Sequence, residues 1–191
     1  MRGAANPVEY RIDPEAPTNR RVYNIMMLYE EILREFQKKK VKYVLVGGIA
    51  LNLHGGERAT HDMDILVEMS DDNLTKVVSI LKGKGYRIKQ PVDPMGIADR
   101  KTRDDWIRNK NMKAFNFYKE DEMEEVDIII DSPVKYPEAQ KDAVRIRSGP
   151  LTMPVISIKK LIKMKKNTGR PTDQLDIAML KEIEKLGRKR E

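Results

Sequence analysis

Tyr43-Val44-Leu45-Val46-Gly47-Gly48-Ile49-Ala50, followed shortly by Arg58-Ala59-Thr60-His61-Asp62-Met63-Asp64-Ile65-Leu66-Val67, is the stretch that decides the fold. Its first half is a short β-branched and aliphatic run broken by paired glycines, which predicts a buried strand turning tightly into a helix. Bare backbone amides at such a helix start form an anion cradle. The second half is another apolar run, but Asp62 and Asp64 alternate within it, and the period of two along a strand aims both carboxylates to one side. Two acids side by side repel, so the pair costs stability unless a cation neutralises it, and a divalent metal with oxygen ligands suits that space. A phosphate cradle beside a metal-binding acid pair predicts phosphoryl or nucleotidyl chemistry.

Composition bounds the rest. A chain of 191 residues can bury one sizeable core but not a second domain of ordinary size beside it. Three prolines and few aliphatics in residues 1–20 predict an extended arm that wraps the domain or a second copy of the chain. Residues 21–187 are expected to form a single domain ending in C-terminal helices, and residues 188–191 a frayed tail. With no apolar run of about eighteen residues and no signal-like stretch after Met1, a cytoplasmic protein without a membrane partner is expected. Absence of cysteine removes disulfides, thiolate zinc sites and cysteine nucleophiles, and the two histidines disfavour a histidine-built metal centre, so any metal site is carboxylate-based. The formal charge of +7, from 37 basic and 30 acidic residues, favours polyanionic partners such as nucleotides or RNA.

Along the chain, Val22, Ile25, Met26, Tyr29, Ile32, Leu33 and Phe36 recur at three and four, predicting one amphipathic helix over 22–40. A short helix over 48–54 follows the first strand, and Ser70 or Asp71 caps the next, with Leu74, Val77, Val78 and Leu81 facing inward. Residues 91–103 have no clear period and read either as the specificity region or as a solvated connection anchored by Trp106. Residues 113–118 and 126–130 form a hairpin, in which Asp127 is the informative residue, because an acid inside an aliphatic strand is costly to bury without a partner. If that strand lies beside the one holding Asp62 and Asp64, the three acids form one cluster. A last hairpin precedes a helix capped by Ser157, on which Ile158, Leu161, Ile162 and Lys165 share a face. Lys165 is then either a snorkelling lysine or a cation held toward a triphosphate. On the final helix Asp173 and Asp176 stack with Ile177 and Leu180, while Leu175, Met179 and Leu186 occupy another face, predicting a largely enclosed helix whose acids pair with Arg170 or Lys165.

The pattern Gly47-Gly48, thirteen residues, then Asp62-Met63-Asp64 resembles the signature of the DNA polymerase β-like nucleotidyltransferase superfamily. The stretches from Val46 to Leu51 and from Arg58 to Ile65 are most similar to its small bacterial branches, the AbiEii-type toxins and minimal nucleotidyltransferases. The run from Leu161 through Lys165, Arg170, Asp173 and Asp176 resembles the AbiEii-type Lys and Arg-Asp-x-x-Asp motifs, although Pro171 and Thr172 here separate Arg170 from Asp173.

The resemblance implies an α+β (α/β) nucleotidyltransferase fold: a mixed sheet with helices mainly on one face, plus C-terminal helices. It implies attack by an acceptor hydroxyl on the α-phosphorus of an NTP, assisted by Mg2+ or Mn2+ and releasing pyrophosphate. Asp62 and Asp64 would bridge two metals, and Asp127 would hold the one that activates the hydroxyl. Gly47 and Gly48 would receive the phosphates, Arg58 and Lys165 would balance their charge, and Asp173 and Asp176 would belong to the nucleotide site. Thr60 reads as structural and His61 as a bystander. The positive balance points to RNA, a tRNA end above all, or a protein hydroxyl as acceptor, and the toxin-like branch to an antitoxin partner. A catalytically silent NTP- or RNA-binding module is the alternative; a metal nuclease would leave the glycine turn unexplained.

Overall fold

The computed structural model describes residues 9–11, 20–120 and 123–188. Its strands are β1 Glu9–Arg11, β2 Tyr43–Leu45, β3 Met63–Val67, β4 Arg87–Ile88, β5 Ala114–Tyr118, β6 Glu125–Ile129, β7 Val144–Ser148 and β8 Leu151–Val155. They form one mixed sheet in the order β1-β7-β8-β2-β3-β6-β5-β4. The helices are α1 Arg20–Leu28, α2 Glu30–Lys38, α3 Gly47–Leu53, α4 Asp71–Gly83, α5 Arg100–Asn109, α6 Tyr136–Gln140, α7 Ile158–Lys166 and α8 Pro171–Arg188. The fold class is the mixed α/β arrangement expected from the sequence.

Two pairings place the site. β2 runs antiparallel to β3, with Leu45 opposite Ile65, so the glycine turn that follows β2 returns beside the start of β3. β3 then pairs in parallel with β6, in a register that sets Met63 against Val126, Asp64 against Asp127 and Ile65 against Ile128. On β5 and β6 burial alternates: Phe115, Phe117, Val126 and Ile128 are buried, while Ala114, Asn116, Asp127 and Ile129 are half-buried. One face of this half of the sheet therefore carries core and the other an open cleft.

The single helix predicted over 22–40 is two, broken at Tyr29, which stands between α1 and α2 in a turn conformation and is wholly buried. Its hydroxyl leaves the helical pattern to bond the backbone of His61 and Glu125. Part of the expected N-terminal arm extends the sheet, since β1 pairs in parallel with β7, while residues 1–8 and 12–19 lie outside the described residues. Residues 189–191 of the expected tail also lie outside them, and α8 runs through Arg188.

Residues 91–103 do not surround the acid pair. Pro94–Ala98 form a 3-10 turn that leads into α5, with Ile97 and Ala98 buried. Trp106 lies 4.9 Å from the Phe115 ring, and a side chain at Gly96 would strike it. Nor is α8 enclosed: Ile177 and Leu180 are buried, but Leu175 and Leu186 are 72% and 52% exposed, an amphipathic rather than a two-sided helix. Among the described residues no helix is long and apolar enough to cross a membrane.

If Trp106 is an anchor, Trp106→Ala should cost roughly 3 kcal/mol or more in urea unfolding through the cavity it leaves against Phe115.

Candidate active site

The cleft on the open face of the sheet has a volume of about 780 Å³. Val46, Gly47 and Asp64 line it on one side, Ala114 and Asp127 form its floor, and Lys165, Thr168 and Arg170 close it from the C-terminal helices. Asp64 and Asp127 are cross-strand neighbours on one face of a parallel ladder, so their carboxylates crowd one another. Burial pushes the Asp64 carboxyl up to about 7, reinforced by the negative charges of Asp127 and Asp62 and opposed by Lys165 and Arg170. Asp127 is also raised, first by burial and then by Asp62, against a hydrogen bond with the Asn116 side chain.

Asp127 Oδ1 is buried and has no hydrogen-bond partner. A buried carboxylate oxygen left in that state is costly, and a cation on the Asp64 side would satisfy it and relieve the repulsion at once. The donor set is all oxygen, which fits a hard divalent ion. Asp62 stands apart from the other two. It precedes β3 and is exposed, and its Oδ1 accepts from the Thr60 hydroxyl at 3.3 Å and the His61 amide at 3.2 Å. Among the described residues no three acids or histidines form a ready-made metal cluster. The convergence expected of Asp62, Asp64 and Asp127 thus takes the form of a register pair, Asp64 and Asp127, with Asp62 acting on both through its charge.

The glycines serve the acids. Gly47 has φ +65°, and a Cβ there would lie 1.8 Å from Asp64 Oδ2; a Cβ at Gly48 would lie 2.7 Å from the Thr60 hydroxyl oxygen. Both residues are thus bare because the turn presses on the acid-bearing segment, a reason distinct from the phosphate approach expected from the sequence. Thr60 fills the room that a side chain at position 48 would take.

Behind the cleft lies an ion network. Lys165, 5% exposed, donates to Asp176 at 2.6 Å and to Asp173 at 3.4 Å. Asp176 also pairs with Arg58 at 2.5 Å, and Asp173 accepts from Arg170 at 2.9 Å and from Thr168. Burial works against the charge on Asp173, yet the Thr168 and Arg170 hydrogen bonds hold its carboxyl below the usual range. Asp173 and Asp176, expected to meet the nucleotide, are 1% and 4% exposed and do not line the cleft. They hold the cations Lys165 and Arg170, the pairing also expected from the sequence. Arg58 likewise faces Asp176 and lies outside the cleft lining, whereas Lys165 and Arg170 lie within it. Asn116 and the cleft-wall pair Lys113 and Asp131, 2.5 Å apart, escaped the sequence reading. Asn116 was within reach of it, since it sits directly opposite Asp127 in the hairpin register.

A mixed sheet with an acid pair beside a glycine turn defines a nucleotidyltransferase, and comparisons with known proteins agree. The profile of the aminoglycoside-2''-adenylyltransferase family matches residues 28–180, and the chain belongs to that family. Its fold is similar to that of the lincosamide antibiotic adenylyltransferase LnuA, solved bound to lincomycin, with TM-score 0.53, 23% identity, and coverage of 82% of this chain and 95% of that one. It is similar also to ANT(2'')-Ia in complex with adenylyl-2''-tobramycin, with TM-score 0.52, 14% identity, and coverage of 85% and 94%. Curated proteins give no match. The AbiEii-like branch expected from the sequence is not the one the family profile supports.

Two outcomes test this geometry. Because the Asp64 carboxyl sits above its unfolded value, its contribution to stability is fullest below about pH 4 and is lost as pH rises toward 7. Metal-free protein should therefore lose on the order of 2 kcal/mol between about pH 5 and pH 8, a loss that Asp64→Asn removes, as read by thermal unfolding at each pH. Gly47→Ala should abolish activity and lower Tm, since the added methyl must displace the Asp64 carboxylate.

Proposed function

We propose that this protein transfers a nucleoside monophosphate from an NTP to a hydroxyl of a small molecule of antibiotic type, releasing pyrophosphate. The observation that carries the reading is the Asp64 and Asp127 register pair, with its unpartnered Asp127 oxygen, facing Lys165 and Arg170 across one cleft. The cleft lies within the size range of small-molecule sites. In the structural neighbours the bound molecules are lincomycin and an adenylylated tobramycin. An RNA or protein acceptor, and the toxin role and antitoxin that go with it, draw no support from the family, and a small-molecule acceptor takes their place here.

In this reading Asp64 and Asp127 would hold the divalent ion, Mg2+ or Mn2+, and Asp62 would join them from the segment ahead of β3. Such an ion would supply Lewis acidity to the acceptor hydroxyl and neutralise charge on the departing pyrophosphate. Lys165 and Arg170 receive the polyphosphate, and the shared acids Asp173 and Asp176 keep both cations oriented while leaving one positive charge in excess among Arg58, Lys165 and Arg170. The turn at Gly47 and Gly48 offers backbone amides to the phosphates. The acceptor oxygen bonds to the α-phosphorus as the bond to the β-phosphate oxygen breaks, and Asp127 takes the hydroxyl proton. Supply of NTP places the reaction in the cytoplasm.

The test is label transfer from each α-labelled NTP, with Mg2+, to a panel of aminoglycosides and lincosamides. Asp127→Asn should lower transfer by about 10²–10⁴-fold while leaving the fold intact. Nucleotide binding without transfer to any acceptor would favour the silent binding module instead.

A further inference from the structure

Tyr29 is buried to 0% exposure, and an aromatic ring alone would satisfy the helix pattern that places it there. Its hydroxyl is the unexplained part, since burying a phenolic oxygen costs free energy unless it finds partners. It finds several, all of them backbone. The hydroxyl bonds to the His61 carbonyl, lies 2.9 Å from the Glu125 carbonyl, and accepts from the Glu125 amide at 3.1 Å. A hydroxyl has one hydrogen and two lone pairs, so it accepts the amide and shares its hydrogen between the two carbonyls.

These contacts fall at a particular place. His61 is the residue before Asp62, and Glu125 is two before Asp127. The ladder between β3 and β6 begins at Met63 and Val126, so the hydroxyl joins the two chains just ahead of their first paired residues. The contacts on the Asp62 carboxylate itself are local, from Thr60 and His61, and neither sets its distance from β6. The Tyr29 hydroxyl, from the turn between α1 and α2 thirty-two residues before His61, bridges the two segments directly.

We infer that Tyr29 is a positioning residue for the acid site: its hydroxyl fastens the segment bearing Asp62 to the strand bearing Asp127, and so sets the spacing at which the carboxylates share a divalent cation. The inference rests on the cation site proposed above. Ligands must be held within about 0.5 Å of productive geometry, and an outer partner that orients them acts on metal affinity rather than on the chemical step at saturating metal.

The experiment measures Mn2+ binding by electron paramagnetic resonance in the full chain without nucleotide, beside the Mn2+ dependence of transfer. Tyr29→Phe should bind Mn2+ about 10-fold or more weakly, with transfer restored toward the wild-type rate at saturating metal. Tyr29→4-aminophenylalanine, which keeps a donor, should recover most of the affinity. Val78→Ala, a buried change on α4, should lower Tm and leave Mn2+ affinity unchanged. In an Asp62→Asn background Tyr29→Phe should cause little additional loss, because the two changes act on one ligand. Wild-type Mn2+ affinity in Tyr29→Phe, or a full additive loss in the Asp62→Asn background, would overturn the inference and leave the cation site standing. Absence of Mn2+ binding by the wild type would instead overturn both.

Discussion

The parallel register of β3 on β6 is the constraint on which the site depends, because it holds Asp64 and Asp127 side by side against their repulsion. The opposite faces of the same strands explain why the register persists. Met63, Ile65, Val126 and Ile128 are all fully buried, and a slip of one residue would turn the acids into that core and the aliphatics into the cleft. Burial of the apolar face thus stabilises an arrangement that electrostatics alone would reject. The cost remains visible in the raised Asp64 carboxyl and the unpartnered Asp127 oxygen, and it is removed when positive charge enters the cleft.

Around that pair the chain arranges close approach on one side and positive charge on the other. The turn at Gly47 touches the Asp64 carboxylate so closely that no side chain fits, which joins the first strand of the motif to the acid of the second. Across the cleft, Lys165 and Arg170 are aimed by acids that are themselves buried, so the C-terminal helices are fastened to the site through shared carboxylates rather than through apolar contact alone. Arg58 brings the loop ahead of β3 into the same network through Asp176. Removing both acids would leave the buried Lys165 unpaired, a far larger disturbance than losing an exposed ion pair.

Much of this was legible in the linear chain. The spacing of Gly47 and Gly48 from Asp62 and Asp64, and the single acid in the aliphatic run around Asp127, point to nucleotidyl chemistry, and their resemblance to the superfamily signature implies the fold. Both hairpins and the capped helix after Ser70 follow from period and turn chemistry. Misreadings fell where a tertiary partner overrode a local pattern. Tyr29 fits an unbroken helical stripe, yet its hydroxyl is held by two distant backbone segments. Ser157 begins α7 as expected, but its hydroxyl goes to Asp142 rather than to the helix backbone. Asp173 and Asp176 do pair with Lys165 and Arg170 as the sequence predicts, and their burial keeps them out of the cleft lining where a nucleotide contact was also expected.

What the sequence determined by itself was which residues alternate, where the chain must turn and which side chains carry charge, since these follow from backbone periodicity and residue chemistry within a few positions. What only the tertiary structure decided was which separated segments meet: Asp64 with Asp127, Gly47 with Asp64, Arg58 and Lys165 with Asp176, and Tyr29 with both acid-bearing segments. Such meetings depend on strand register and on the burial of the whole core, and neither quantity is contained in any short stretch of chain.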